Sequence, residues 1–250
     1  MRSNTVLRWI SAALLLLSWQ ILAVLLQDEI FPPPTAVLAT LWSNLVSGEL
    51  PAHLGITLLR VAAAFLIAFS IGSAIGIAMG RSQNVNALLD SLLIIALNIP
   101  ALVTILLCYI WFGLTEIAAV AAVAINKIPN TVVTVREGAR AVDQQLMQVA
   151  TVYRLSFSDT MKKVYLPQLY PYFMASARSG LSLIWKIVLV VELLGRSDGV
   201  GFQLGTYFQF FDIQGILSYT LAFVVVILLI EWLLLRPMDH RISKWRTPQT

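Results

Sequence analysis

Asn126–Pro171 reads NKIPNTVVTVREGARAVDQQLMQVATVYRLSFSDTMKKVYLPQLYP, a long polar interruption in an otherwise apolar chain. It carries six of the 17 basic residues, Lys127, Arg136, Arg140, Arg154, Lys162 and Lys163, at helical spacing. From Gln144 to Val164 polar and apolar residues alternate with that period, which places Leu146, Val149, Val152 and Tyr153 on one side. Ser156-Phe157-Ser158 then breaks the pattern with an exposed aromatic, Ser158 is placed to cap a short helix over Asp159–Tyr165, and Leu166-Pro167 is expected to end it. Two short helices joined at an angle form a knob for a partner's groove. An ordinary amphipathic surface helix is the alternative.

Around this segment lies hydrocarbon-like sequence. Of 250 residues 58% are hydrophobic and 12% charged, against about 45–50% and about 25% in a soluble domain. The apolar residues fall in blocks of about twenty, the length that crosses a bilayer core. Spans are expected at about 9–26, 56–79, 91–112, 116–133, 172–194 and 216–235, with 135–170 as a cytoplasmic loop of one transmembrane domain, 1–250. With all six basic residues of the polar segment, Lys127 included, counted as cytoplasmic, 13 of the 17 Lys and Arg fall on one side, only Arg196 on the other, and Arg60, Arg178 and Lys186 within spans. The positive-inside rule puts both termini in the cytoplasm. A signal peptide is disfavoured because no small-x-small cleavage site precedes Asp28. The net charge of +4 suits cytoplasmic loops better than nucleic acid.

Several local features accompany the spans. Pro32, Pro33 and Pro34 give an extended entry, with Thr35 as cap for a surface helix over Ala36–Val46. Gly72, Gly76 and Gly80 recur every four residues, either as a close helix contact or by chance. Arg60 is expected to snorkel, with an interior charge as the alternative. A polar turn over Arg81–Asp90 leads to the third span, which Pro100 kinks; Gly113-Leu114 turns the chain into the fourth, and 195–214 is an outer loop. Lys186 lies near the middle of the fifth span, where an ionisable residue implies function, and Glu192 is badly placed on the helix to pair with it.

The spacing Gln148-Val149-Ala150, Arg154 six residues after Gln148, then Val164-Tyr165-Leu166-Pro167, resembles the EAA loop of ABC-importer permeases, Glu-Ala-Ala-x3-Gly-x9-Ile-x-Leu-Pro. Gln148, Val149 and Arg154 depart from it. The stretches FPPPTAVLATL (31–41), TLLRVAAAF (57–65), NIPALVTILLCYIWFG (98–113) and LIWKIVLVVELLGRSDGVGF (183–202) resemble the nitrate/sulfonate/taurine branch of binding-protein-dependent permeases. The resemblance covers Ile30–Trp232. It implies an all-α, six-helix type I (MetI-like) permease in a bacterial inner membrane. It also implies that Gln148, Val149, Ala150, Arg154, Leu155, Ser156, Phe157, Ser158, Leu166 and Pro167 dock into a cytoplasmic ABC ATPase dimer. A second permease chain, as a homodimer, an external substrate-binding protein and membrane lipid complete the expected partners, with no nucleic acid.

Function follows from what the chain holds and lacks. No Gly-x4-Gly-Lys-Ser/Thr motif occurs, so ATP and Mg belong to the partner ATPase and no cofactor is expected on this chain. Intramembrane hydrolysis would need a nucleophile with a base, paired carboxylates or a metal cluster; one Cys and two distant His supply none of these. A non-transporting scaffold stays open. For the pathway the candidates are Asn98, Pro100, Trp111, Ser182, Trp185, Lys186 and Glu192, presenting positive charge and donors to a small anion. Sulfonates, taurine or nitrate are the expected substrates, with a pyrimidine precursor or aromatic carboxylate as alternatives.

Overall fold

The computed structural model describes residues 2–28 and 30–235, so the basic residues expected to follow the last span, Arg236, Arg241, Lys244 and Arg246, lie outside the described residues. The described chain is helical: α1 Arg2–Leu26, α2 Pro34–Val46, α3 Glu49–Arg81, α4 Gln83–Asn98, α5 Ala101–Phe112, α6 Glu116–Arg140, α7 Gln144–Val152, the single turn α8 Phe157–Asp159, α9 Leu166–Gly195, α10 Val200–Gln209 and α11 Ile213–Ile230. Two compact units divide it, residues 1–57 with 197–229, and residues 58–196 with 230–250.

In the first unit α2 starts on Pro33 and Pro34, whose fixed φ suits a first turn; Pro33 is the N-cap residue, not Thr35 as expected. The Thr35 N–H instead donates to Gln20 Oε1 at 3.3 Å, and Trp19 packs near Phe31. The expected outer loop is largely helix α10. Its first turn is held by the Gly199 N–H on His53 Nδ1 and the Val200 N–H on Thr57 Oγ1, both at 2.9 Å, which satisfies donors a helix N-terminus leaves open. Tyr207 and Tyr219 meet edge to face at 5.4 Å.

In the second unit α3 and α6 lie so close that glycine is required. A Cβ on Gly72 would come within 2.7 Å of Thr131 Cβ, and one on Gly76 within 2.9 Å of Val135 Cβ. One on Gly80 would come within 2.8 Å of the Arg136 carbonyl. The glycine spacing therefore marks a helix contact. Residue numbers rise together along it, so α3 and α6 are parallel. Between α6 and α9 they run oppositely, Glu116 opposite Arg196, Lys127 opposite Gly180 and Gly138 opposite Tyr172. With α3 and α6 parallel, α4 and α5 must carry the chain back. The two helices are bent by 96° to one another.

The expected six spans are met in part. Glu49–Arg81, Glu116–Arg140 and Ile213–Leu233 are long and apolar enough to cross, and α4 with α5 makes a fourth if the bent pair counts as one. The apolar part of α1, Ala13–Leu26, is short for a span. At about 45 Å α9 is long enough but contains Arg178, Lys186 and Glu192. Two local expectations are corrected. Pro100 separates two helices instead of kinking one, because Ile99 before it is driven to extended backbone, ψ 122°. The polar turn before the third span shrinks to Ser82, whose hydroxyl accepts from the Val85 N–H and starts α4 at once.

Candidate functional site

The Asp143–Tyr165 segment is fastened at its base. Ala139, Val142, Tyr165 and Leu169 form a buried cluster, with Ile77, Met147, Met161, Leu166 and Phe173 around it. The Asp143 N–H donates to Gln168 Oε1 at 2.8 Å, and Gln168 Nε2 donates to the Val164 carbonyl at 2.9 Å. Arg81 lies 5.1 Å from the Tyr165 ring centroid, and burial pushes the Tyr165 phenol up. Asp143 caps α7 by accepting from the Gln145 and Leu146 N–H groups.

Beyond α7 the chain turns through Arg154 in left-handed geometry, φ +50°. The Arg154 N–H bonds the Thr151 carbonyl at 2.9 Å and the Leu155 N–H bonds the Ala150 carbonyl at 3.0 Å. These two bonds make a Schellman cap, whose left-handed position is usually glycine. Arg154 thus stands at the left-handed position where glycine is usual, and its Cβ makes that backbone strained. The next helix is capped by Ser156, not Ser158: Ser156 Oγ accepts from the Asp159 N–H at 3.1 Å and donates to Asp159 Oδ2 at 2.8 Å. A hydrogen bond from Lys163, then the one from Ser156, holds the Asp159 carboxyl below the usual range. Leu166-Pro167 does not end the helix. Thr160–Tyr165 widens to π geometry and α9 begins at Leu166, which accommodates the proline's missing N–H and its bulk against the preceding turn.

This geometry leaves an apolar face uncovered. Val152, Tyr153 and Phe157 are each at least 75% exposed, and Val149 48%. Gln148, Leu155, Ser158 and Pro167 are exposed too, Leu166 is half-buried, and Ala150 is buried. Of the six basic residues read as one set, Arg136 and Arg140 tie α6 to α4 through Asp90 at 2.6 Å and Asn86 at 2.7 Å. Lys163 pairs with Asp159. Lys127 is not in the loop but buried within α6.

The expected pathway residues separate. Asn98, Pro100, Trp111, Ser182 and Lys186 are exposed on the protomer, whereas Trp185 is buried. Asn98 Nδ2 donates to the Ile94 carbonyl of its own helix at 2.8 Å. Glu192 is wholly buried and faces Arg60, not an open surface. Arg60, 3% exposed, reaches Glu192 at 2.8 Å and both Glu116 oxygens at 2.6 and 2.9 Å. Arg196 completes the set on Glu116 Oε1 at 2.5 Å and the Leu114 carbonyl. Snorkelling of Arg60 is therefore corrected. Its guanidinium fork fits two carboxylates inside the protein and joins α3, α6 and α9 at one end. The sequence signal was two acids at the same expected depth as one arginine, but nothing in spacing links residues 56 and 132 positions apart.

Residues 68–236 match the family of binding-protein-dependent transport system inner membrane components. The chain belongs to that family. This permease is 29% identical to a Bacillus subtilis (strain 168) permease protein assigned to aliphatic sulfonates transport, over 94% of the chain and 85% of the relative. It is 27% identical to the Escherichia coli (strain K12) taurine transport system permease protein, over 94% and 87%. Over 61% of the chain and 55% of the relative it is 30% identical to the bicarbonate transport system permease protein of Synechococcus elongatus. It is thus an ABC permease of the nitrate/sulfonate/taurine family. Among solved structures, an amino acid ABC transporter chain aligns at TM-score 0.65 and 21% identity over 80% of this permease and 97% of that chain. A chain of the MetNI methionine ABC transporter aligns at 0.64 and 15%, over 76% and 93%. The fold is that of a MetI-like type I importer permease.

Proposed function

We propose that this chain is the pathway subunit of an ATP-driven, binding-protein-dependent importer for a small anion of the sulfonate, taurine, nitrate or bicarbonate kind, set in a bacterial inner membrane with both termini inside. The carrying observation is the exposed Val152-Tyr153-Phe157 face on a segment whose base is packed into α6 and α9. Aromatic side chains held clear of a rigid base suit a partner's groove. A cytoplasmic ATPase dimer binding ATP and Mg is that partner; its closure moves the segment as a lever and redirects the helices. A second copy of the permease lies on the exposed faces of α4, α5 and α9, which places Asn98, Pro100, Trp111, Ser182 and Lys186 along the pathway between copies.

The anion reading draws on the names of the relatives and on the cations within α6 and α9. The test is ATPase activity of the chain reconstituted in lipid with its cognate ATPase. It is measured with binding protein loaded in turn by taurine, an alkanesulfonate, nitrate and bicarbonate. Stimulation by at least one is expected, and Phe157→Ser should lower it about tenfold or more, the loss of one interface anchor. An ATPase that binds Phe157→Ser as well as wild type, with undiminished stimulation, would rule out docking through this face.

A further inference from the structure

α6 begins at Glu116 and continues to Arg140, so Lys127 lies about 16 Å from one end and about 20 Å from the other. It is at the middle of a span and is 2% exposed. Across from it is Gly180 of α9, where a Cβ would come within 3.0 Å of Lys127 Cε and 3.7 Å of Nζ. The ring of Phe65 borders the same spot. Among the described residues the ammonium has neither an ion pair nor a hydrogen bond. The acids of the layer, Glu116 and Glu192, are already taken by Arg60 and Arg196 at its far end.

One turn from Gly180, on the same face of α9, Ser176 is 1% exposed and its hydroxyl finds no partner. A buried ammonium at mid-depth and a buried hydroxyl one turn nearer the loop are donors without an acceptor among the described residues, and each is costly there. Among the described residues none completes them, whereas a group that is negatively charged and small enough to pass between helices would. We infer that Lys127 and Ser176 form an intramembrane binding site for a small oxyanion, a sulfonate, carboxylate, nitrate or bicarbonate group, met when α9 parts from α6 during transport. The site rests on the anion-permease reading and moves its central cation from Lys186 to Lys127. Lys186 is about 9 Å from Gly180 along α9 and exposed on the protomer.

The test uses the complete transporter, with its ATPase and binding protein, in vesicles offered isotope-labelled taurine, ethanesulfonate, nitrate or bicarbonate. Lys127→Met should lower uptake per assembled transporter at least about tenfold, the worth of a charge-assisted hydrogen bond, while raising the melting temperature, because it removes an unmatched buried charge. Lys127→Arg should recover part of the uptake. Ser176→Ala should melt no lower than wild type and raise the KM for the anion severalfold. Wild-type vesicles that move none of the four anions overturn the anion-permease reading. Wild-type anion uptake that survives Lys127→Met overturns the Lys127 site alone, and so does lost uptake with a lower melting temperature in both variants, which assigns the two residues to packing.

Discussion

In the layer of α3, α6 and α9 charge and bulk are turned inward and, Lys127 apart, matched, Glu192 against Arg60 and Gly76 against Val135, whereas further along the chain Val152, Tyr153 and Phe157 stand clear of the protein. The layer is stabilised by what it buries. The loop is stabilised only by its caps and its base, and spends its side chains outward. Substitutions in the layer should therefore register as stability, and those in the loop as partner binding at nearly constant stability.

The largest effect is expected from Glu192→Ala. It leaves one edge of the Arg60 guanidinium uncompensated in a buried site, a loss of about 3–5 kcal/mol where a buried pair is broken. Thermal unfolding in detergent should drop by about 10 °C, and an unchanged melting temperature would show that Glu116 and Arg196 carry the network without Glu192. Gly76→Ala comes next. The added methyl would meet the Val132 carbonyl at 2.9 Å and the Arg136 N–H at 3.1 Å. Backbone atoms cannot step aside as a flexible side chain would, so about 1–3 kcal/mol is expected, read in the same melting experiment. An equal loss from Gly55→Ala, where nothing lies within 4 Å, would attribute the effect to helix composition and not to the contact.

Crossing to the loop, Ser156→Ala removes the cap that holds Asp159, worth about 1 kcal/mol. The change should appear as faster hydrogen exchange at the Asp159 and Thr160 amides, with the layer unaffected. Exchange that quickens equally in α6 would mean loop and layer unfold as one unit.

The same contrast accounts for what the sequence revealed. Three or four of the six expected spans, and a glycine spacing that leaves contact and chance both open, were legible because they depend on hydropathy and on residues a few positions apart. Arg60 was misread as snorkelling because its partners are Glu116 and Glu192, distant in sequence and visible only once α3, α6 and α9 are assembled. Lys127 was misplaced for a different reason. Position 127 falls inside the expected span 116–133, yet the polar run of Asn126, Lys127 and Asn130 groups it with the basic residues of the segment that follows, which hides a cation at the centre of α6. Pro100 and Pro167 were both read as helix modifiers, yet one breaks the chain into two helices and the other is absorbed by a π turn. Proline forbids one hydrogen bond in either place, and the surroundings decide the remedy.

The smallest effect is expected from Arg154→Gly, and its sign is set by two opposing quantities. The left-handed backbone at φ +50° costs a residue with a Cβ about 1–2 kcal/mol, which glycine avoids. Glycine gives back about 0.5–1 kcal/mol through the greater freedom of the unfolded chain. The balance favours glycine by roughly half a kcal/mol, since the cap bonds of Arg154 and Leu155 use backbone groups that the substitution keeps. Slightly slower hydrogen exchange at those two amides is the expected outcome, with ATPase coupling intact. If exchange slows but coupling falls, the Arg154 side chain contacts the ATPase, and the strain is retained for that contact. If exchange quickens, the bend is held by the arginine side chain itself and not by its backbone, and the loop is less independent of its side chains than the layer comparison supposes.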